Sequence, residues 1–234
     1  MQYVKIKDSI VEQIESGLLS PRQKLPAERK LAESFDTTRV TLREALSLLE
    51  SEGRIYREDR RGWFISPQPL KYDPTQTLNF SNMALAQHRV PKTELVAAKG
   101  ILANKQAASM LGLQPFSDVY QVDRVRYLED RPVVFVTNYI RPELFPNLLD
   151  CDLSKSLTDI YRDHFGMVYQ KIRYRISTSS LLGDTAQALR ATSGTPAMVV
   201  ERINYNQHGE LIDCDIEYWR HDAISIESIA VLNH

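Results

Sequence analysis

The sequence has few of the features that mark secreted, membrane-spanning or fibrous proteins. It contains only two cysteines in 234 residues, Cys151 and Cys214, without CxxC or Cys/His spacing, so we expect neither a disulfide framework nor a zinc site. No apolar run approaches the roughly 20 residues that span a bilayer, and the start, MQYVKIKDSI, has no apolar signal segment. We therefore expect a cytoplasmic protein with free thiols and no membrane partner.

Catalytic motifs are also missing. No HExxH, GxSxG, P-loop or GxGxxG pattern occurs, and the five histidines are scattered along the chain. The sequence therefore predicts no catalytic residue, no cofactor and no metal ion. A whole-chain excess of one charge is missing as well, because 29 Lys and Arg residues stand against 30 Asp and Glu residues. This balance argues against a surface that is basic throughout, but it leaves a small local basic patch possible.

What the sequence does contain is an internal boundary. The stretch SPQPLKYDPTQT, residues 66–77, holds three prolines, which favour an extended linker. We predict an N-terminal domain at residues 1–66, a linker at 67–78 and a C-terminal domain at 79–234. Residues 1–66 carry 12 basic and 11 acidic side chains, and the remainder carries 17 and 19, so neither part is strongly charged.

Helical periodicity dominates the predicted N-terminal domain. Apolar spacing predicts a helix from Tyr3 to Ile14, a second from Ala27 to Phe35 and a third from about Thr38 to Glu52. Two short extended pieces follow, Arg54–Arg57 and Trp63–Ser66, joined by the turn EDRRG. Three helices and a hairpin predict a winged helix-turn-helix.

The third predicted helix has a polar face opposite its apolar stripe. Arg39, Arg43 and Ser47 recur at i, i+4 and i+8, flanked by Thr38 and Thr41. Arginine can bind guanine or clamp phosphate, and threonine can donate to phosphate or contact a thymine methyl group. An ordinary solvated helix has the same spacing. The preceding short helix and the following basic tip, Arg60-Arg61-Gly62, favour a helix that enters a major groove.

The run LPAERKLAESFDTTRVTLREALSLLESEGRIYREDRRGWFI resembles the DNA-binding signature of the GntR family of bacterial transcription regulators. The resemblance implies contacts to DNA from the residue after LPAE, from the recognition helix and from the wing, namely Arg29, Thr38, Arg39, Thr41, Arg43, Arg61 and Gly62. The sequence departs from the family pattern at Arg22, where a Pro-Gly turn is usual, at Asp36, where glycine is usual, and at the wing tip DRRGW.

The C-terminal part contains an internal echo at a constant offset. DRVRY at residues 123–127 corresponds to ERINY at 201–205, and each copy has the order helix, strand, turn, strand. Matches this few can arise by chance. If the duplication is genuine, it predicts an α+β sandwich in which two helix-plus-hairpin units surround one antiparallel sheet.

Two arginines on the first of these strands are candidates for ligand binding. Arg124 and Arg126 point to one face about 7 Å apart and can grip one anionic group, although an exposed pair without a ligand is the commoner interpretation of this spacing taken alone. A helix opening near Ser81 offers a second anion contact, or simply an N-cap serine. The segments DRVRYLEDRPVVFVTNYIRPELFP and ERINYNQHGELIDCDIEYWRHDA resemble the HutC subfamily of GntR regulators, whose sensor, the UTRA domain, has a chorismate-lyase-like fold. The resemblance implies an anionic effector held by the arginine pair.

A second basic strand, KIRYRIS at residues 171–177, places Arg173 and Arg175 on one face, which is either solvated or turned to the ligand. Subfamily members often carry an acidic residue in this strand and another where this chain has Val136. Fewer acids and more arginines favour a phosphonate or phosphate ester, such as 2-aminoethylphosphonate, as effector. We expect Glu217 or Tyr139 to read its amine or hydroxyl group.

These observations together predict a homodimeric transcription regulator, a repressor released from a palindromic operator by a small anion. Two alternatives remain open at this point. One is a lyase-like enzyme fused to a DNA-binding domain, and the other is a DNA-binding protein whose C-terminal domain only dimerises.

Overall fold

The computed structural model describes residues 1–76 and 78–231 and begins with three helices and a hairpin. These elements are α1 (Gln2–Glu15), α2 (Glu28–Ser34), α3 (Arg39–Ser51), β1 (Ile55–Glu58) and β2 (Gly62–Ile65). The strands β1 and β2 pair antiparallel, with Tyr56 opposite Phe64. The winged helix-turn-helix predicted from the sequence is thus confirmed. Thr77 of the predicted linker and residues 232–234 of the predicted C-terminal domain lie outside the described residues.

The apolar stripe of α3 determines which of its faces is available for binding. Its four members are fully buried, and they pack with α1 and with Trp63 and Ile65 of the wing: Leu42, Ala45, Leu46 and Leu49. Burying a leucine side chain contributes about 1.5–3 kcal/mol, so this orientation of α3 is strongly preferred. The opposite face, which carries the polar residues, therefore faces solvent.

Two of the departures from the family pattern have a common backbone conformation. Arg22 has φ 68° and Asp36 has φ 45°, which is the left-handed region. An L-amino acid with a side chain pays about 1–2 kcal/mol there, whereas glycine does not. The fold keeps the turn geometry that usually selects glycine, although the sequence supplies larger residues.

The described chain divides into two compact units, and each unit is made of several segments that are not continuous in the sequence. The first unit comprises Met1–Lys71 together with Ser180–Pro196 and Arg220–Ile226, and the second comprises the rest. Two short segments from the second half therefore pack with the N-terminal residues. Part of the predicted linker is also regular, because β3 (Leu70–Tyr72) pairs with β10 (Ile224–Ile226). The boundaries predicted at residues 66 and 79 stay a prediction.

The second unit is built on a six-stranded sheet of order β4-β5-β6-β9-β8-β7. Its strands are β4 (Pro91–Leu102), β5 (Asp118–Leu128), β6 (Arg131–Ile140), β7 (Tyr169–Ser180), β8 (Pro196–Asn206) and β9 (Leu211–Arg220). The pairings β4 with β5, β5 with β6 and β6 with β9 are antiparallel. This agrees with the predicted antiparallel α+β domain.

The internal echo corresponds to two structural repeats. The offset from β4 to β7 equals the offset from β5 to β8, at both ends of each strand, and it is the offset of the echo in the sequence. The starts of α5 (Lys105–Leu111) and α7 (Gly183–Ala188) are separated by the same offset. The starts of β6 and β9 are separated by slightly more. The strand order is symmetric about the β6–β9 contact. The duplication suggested by the sequence is therefore confirmed.

Helices cover both faces of the sheet in the second unit. α5 packs with Tyr139, Cys214 and Ile216 on one face. α6 (Leu157–Phe165) packs with Val122 and Ile140 on the other, and α4 (Phe80–Ala86) places Phe80 beside Trp219. No helix among the described residues is long and apolar enough to span a bilayer.

Candidate functional site

The exposed side of α3 carries four of the residues implied by the family resemblance. Thr38 caps the helix, and its Oγ1 accepts a hydrogen bond from the Thr41 N–H at 3.2 Å. The side chains of Arg39 and Arg43 are 60% and 58% exposed. Both arginines lie beside the carboxylate of Glu28, with Arg43 Nε 2.8 Å from Glu28 Oε2. The helix therefore presents two oriented guanidinium groups to solvent.

The wing and α2 supply the remaining candidates for DNA contact. Arg61 forms an ion pair with Glu58 and lies 5.6 Å from the centre of the Phe64 ring. Gly62 has φ 100°, a conformation that glycine adopts without strain. Arg29 is exposed on α2 and pairs with Glu33 at 3.1 Å. All seven residues lie in the same compact unit as α3.

Arg220 is a residue of this unit that the sequence analysis missed. Its guanidinium is 1% exposed and donates to the Arg57 carbonyl at 2.6 Å and the Leu189 carbonyl at 2.7 Å. Next to it, His221 Nε2 lies 2.6 Å from the Glu50 carbonyl. These contacts join the wing and the end of α3 to segments 180–196 and 220–226. No local pattern marks Arg220 in the sequence, because its partners are distant along the chain.

The second unit contains a buried polar layer on the face of the sheet that α6 covers. Its members come from four adjacent strands and are Arg124, Arg126, Asn138, Arg202, Asn204, Asp213, Asp215 and Glu217. The three acids alternate along β9 and are at most 1% exposed. Three arginines and three carboxylates balance one another formally. Among the described residues, no group of three or more His, Cys, Asp or Glu side chains is placed to hold a metal ion.

Two of the three arginines in this layer have carboxylate partners. Arg202 Nε lies 2.8 Å from Asp215 Oδ2, and Arg202 NH2 lies 3.2 Å from Glu217 Oε1. Arg126 NH1 lies 3.2 Å from the same Glu217 oxygen, and the Arg126 guanidinium lies 5.3 Å from the centre of the Phe80 ring. Burial alone raises the pKa of Glu217, but Arg202 and Arg126 outweigh it and lower that pKa, so Glu217 is ionised.

Arg124 differs because it has no carboxylate partner in the described part of the chain. It is 3% exposed, donates to Asn138 Oδ1 at 3.0 Å and to the Lys155 carbonyl at 3.1 Å, and its Nε has no hydrogen-bond partner among the described residues. Burial, followed by the charge of Arg126, lowers the pKa of Arg124 to about 10, so it stays protonated at neutral pH. In the register of the sheet, Val136 lies between Arg124 and Glu217. Arg124 is thus a buried cation next to an apolar residue.

Asp213 lies at the other end of the layer. Its carboxylate accepts hydrogen bonds from the hydroxyls of Tyr161 and Tyr169 and from Asn204 Nδ2, at 2.9–3.0 Å. Burial, together with the neighbouring Asp215, raises the pKa of Asp213 to about 6. Asn138, Arg202 and Asp213 were not predicted as site residues. Of these three, Asp213 alone lies between two buried apolar residues, Ile212 and Cys214, and this pattern was its available signal.

The predicted effector residues do not all converge. Tyr139 pairs in register with Cys214 and accepts a hydrogen bond from Asn104, which places it on the α5 face, away from the polar layer. On the edge strand β7, Arg175 lies 3.4 Å from Glu201 and Lys171 lies over the ring of Tyr205. Glu201 and Tyr205 alternate with the layer residues of β8, so these basic side chains are on the opposite face.

Arg173 is exposed and shares the face of Lys171 and Arg175 by the same alternation. Ser81 is the second residue of α4 rather than its cap, because Asn79 caps the helix by accepting from the Asn82 N–H. The structure therefore brings together Arg124, Arg126 and Glu217, with Ser81 next to Phe80, and places Tyr139, Arg173 and Arg175 elsewhere.

The winged helix-turn-helix and the attached α+β domain are the architecture of a class of protein, the DNA-binding transcription regulators with an effector domain. Comparison with known families is specific on this point. Residues 2–65 match the gntR family of bacterial regulatory proteins, and residues 86–225 match the UTRA domain. The chain belongs to the GntR-family regulators that carry a UTRA domain.

Individual relatives agree with this assignment. The chain is 29% identical over 225 residues to the HTH-type transcriptional regulator YihL of Escherichia coli K12, with 94% of each chain covered. It is 27% identical to the HTH-type transcriptional repressor NagR of Bacillus subtilis 168, covering 94% of this chain and 90% of NagR. The crystal structure of PhnF from Mycobacterium smegmatis has the same fold, with a TM-score of 0.67, 24% identity, and coverage of 97% of this chain and 100% of PhnF. These relatives favour a regulator over an enzyme.

Proposed function

We propose that the protein is a homodimeric repressor that binds a palindromic operator and is released from it by a small anionic effector. A single winged helix-turn-helix makes few phosphate contacts, so specific binding needs two copies on half-sites about 10 bp apart or a multiple of that spacing. The direction of regulation is supported by the similarity to NagR, which is itself named a repressor. Since its ligand is DNA, we place its action in the cytoplasm.

The DNA contacts in this proposal come from the exposed residues of α2, α3 and the wing. Arg39 and Arg43 read base edges or clamp phosphates from the major groove, and Thr38 and Thr41 contact the backbone at the start of α3. Arg29, Arg61 and Gly62 contact flanking phosphates.

The observation that carries the effector proposal is the unmatched charge of Arg124. A buried guanidinium costs several kcal/mol unless a counter-charge is supplied, and the partners of Arg124 in the described residues are neutral. The carbonyl that it contacts belongs to Lys155, directly before Ser156, the N-cap of α6, and a helix N-terminus also favours an anion. A phosphonate or phosphate ester, whose oxygens accept from several donors at once, fits this site.

The other residues of the site have supporting roles in this proposal. Arg126 supplies a second donor beside the anion, and Ser81 offers a hydroxyl from α4. Glu217 already accepts from Arg126, Arg202 and Trp219, so we assign it to orienting Arg126 rather than to reading an amine. We leave Tyr139, Arg173 and Arg175 out of the site because they lie on the other face. 2-Aminoethylphosphonate remains the first ligand to test.

Effector binding and DNA release are coupled by linkage, with a usual coupling of about 5–150-fold in operator affinity. Arg220 lies beyond Glu217 at the end of β9 and bonds to the wing carbonyl of Arg57. We propose that this strand carries the change to the DNA-binding residues.

The test begins with operator sequences selected from random duplexes by the purified protein. Thermal shift and operator release are then measured with 2-aminoethylphosphonate, sugar phosphates and carboxylates such as urocanate. We expect a phosphonate or phosphate ester to raise the unfolding temperature and release the operator. Arg124→Met should remove both responses, and the matched control Arg173→Met, which loses the same charge from the opposite face, should keep them.

Three results contradict parts of this proposal. Binding of carboxylates alone would overturn the phosphonate class, and release that survives Arg124→Met but not Arg173→Met would move the site to the other face. Product formation from any bound ligand would favour an enzyme.

A further inference from the structure

The strongest unassigned feature of the DNA-binding unit is the carboxylate of Glu28, the first residue of α2. Its Oε2 accepts from Arg43 Nε at 2.8 Å and lies 3.8 Å from Arg39 NH2. Its Oε1 accepts from the indole N–H of Trp63, on the wing strand β2, at 3.3 Å. One side chain therefore contacts α3 and the wing at the same time.

The surroundings of Glu28 make these contacts more rigid than ordinary surface pairs. The Glu28 side chain is 16% exposed, whereas the arginines it holds are more than half exposed. Trp63 is buried, and its ring is covered on one side by the guanidinium of Arg57 at 5.5 Å. Burial raises the pKa of Glu28, but the hydrogen bonds from Arg43 and Trp63 outweigh it and the net shift is downward, so the carboxylate is charged.

We infer that Glu28 is a positioning residue that fixes the guanidinium of Arg43, and secondarily that of Arg39, in the orientation that reads the operator. This inference rests on the proposed DNA contacts of α3. Arg43 uses Nε for Glu28, which leaves its two terminal NH2 groups as a fork for a guanine edge or a phosphate. A side chain held in advance loses less conformational freedom on binding, so the carboxylate increases specific affinity.

The same carboxylate has an opposite effect on non-specific binding. A negative charge next to the DNA surface repels phosphates, and non-specific binding depends almost entirely on phosphate attraction. A positioning role therefore predicts a change in the ratio of specific to non-specific affinity. A purely structural role would lower both affinities together.

The test compares Glu28→Gln with the wild-type protein on the selected operator and on a scrambled duplex of equal length, across a salt series. We expect Glu28→Gln to lower operator affinity about tenfold, as expected for one well-placed arginine contact, while scrambled-duplex affinity stays equal or rises. The matched control is Glu33→Gln, which removes the same charge from the same helix but pairs with the exposed Arg29 instead of an α3 arginine. It should leave the affinity ratio unchanged.

The same substitution is also tested in a protein that already carries Arg43→Lys. In Arg43→Lys the planar fork is absent, so adding Glu28→Gln should lower operator affinity by much less than tenfold, leaving only the part that acts through Arg39. Equal falls in operator and scrambled affinity with Glu28→Gln would overturn the inference, and so would an unchanged tenfold loss in the Arg43→Lys background. If Glu33→Gln changed the ratio of operator to scrambled-duplex affinity as much as Glu28→Gln does, the effect would come from the net charge of α2, and the inference would be wrong. Failure of the wild-type protein to select any operator would instead contradict the proposed function itself.

Discussion

The two repeats of the sheet domain place an arginine at the same position and surround it differently. Arg124 is the seventh residue of β5, and Arg202 is the seventh residue of β8. Arg202 is held by Asp215 and Glu217, whereas Arg124 has an amide, a carbonyl and an Nε without a partner in the described residues. The same scaffold position is neutralised in one repeat and left cationic in the other. The duplication has therefore preserved the geometry of the arginine, while the acids of the layer, all on β9, determine whether its charge is balanced.

The largest effect should be a loss of stability when Arg202, the arginine with carboxylate partners, is removed. Arg202→Met leaves Asp215 and Glu217 buried with fewer counter-charges, and removing one partner of a buried pair typically costs about 3–5 kcal/mol. Urea unfolding followed by circular dichroism should show this loss in the free energy of unfolding. A loss below about 1 kcal/mol would mean that Arg202 is not the structural member of the pair.

The next largest effect should be a loss of effector affinity when a substitution gives Arg124 a carboxylate partner, as Arg202 has in the second repeat. Asn138 Oδ1 already accepts from Arg124, so Asn138→Asp supplies a carboxylate with almost no change of shape. If Arg124 binds the effector, neutralising it should weaken 2-aminoethylphosphonate or phosphate binding about tenfold or more, the usual scale of a charged hydrogen bond. Calorimetric titration measures this affinity. Unchanged affinity would show that the anion does not use Arg124.

The acids of β9 also predict a pH dependence of the free energy of unfolding, through Asp213. The pKa of Asp213 is raised to about 6 in the folded protein, above the unfolded value of about 3.9, so the folded state binds this proton more tightly. Its contribution therefore lowers the free energy of unfolding as pH rises from about 4 to 6, and is constant above that range. Asp213→Asn keeps an acceptor for the two tyrosines and cannot titrate. Its stability relative to the wild type should increase across this window, and parallel profiles would contradict the assignment.

The smallest effect should be the stability change of Arg124→Met. Replacing an unmatched buried charge with an apolar side chain of similar length is often neutral or stabilising, so we expect a change within about 1 kcal/mol. The same urea measurement made for Arg202→Met provides the contrast. Losses of equal size for the two variants would remove the distinction between the repeats.

Much of the architecture was predictable because its signals are local. Apolar spacing gave α1, α2 and α3 to within one or two positions, and the echo between DRVRY and ERINY anticipated the paired strands. Alternation also placed Arg124 and Arg126 on one face correctly. The effector candidates Tyr139, Arg173 and Arg175 did not converge with them, because period-2 alternation shows which residues of one strand share a face. The same alternation does not show which face of one strand lies on the same side of the sheet as a given face of another strand, and this is why the three residues were wrongly grouped with the arginine pair.

The family, the winged helix-turn-helix and the duplicated sheet could all be predicted from the sequence, since periodicity and motif spacing act over short stretches or repeat along the chain. The partner of each charged side chain, by contrast, follows from the tertiary structure. Glu28 meets Trp63, Arg126 meets Glu217 and Arg220 meets Arg57 across 35, 91 and 163 positions. Such pairs depend on strand register and on the packing of distant segments. Whether a buried arginine stabilises the fold or remains available for a ligand is settled by these long-range contacts, because the energy of a buried charge depends on what lies within a few ångströms of it.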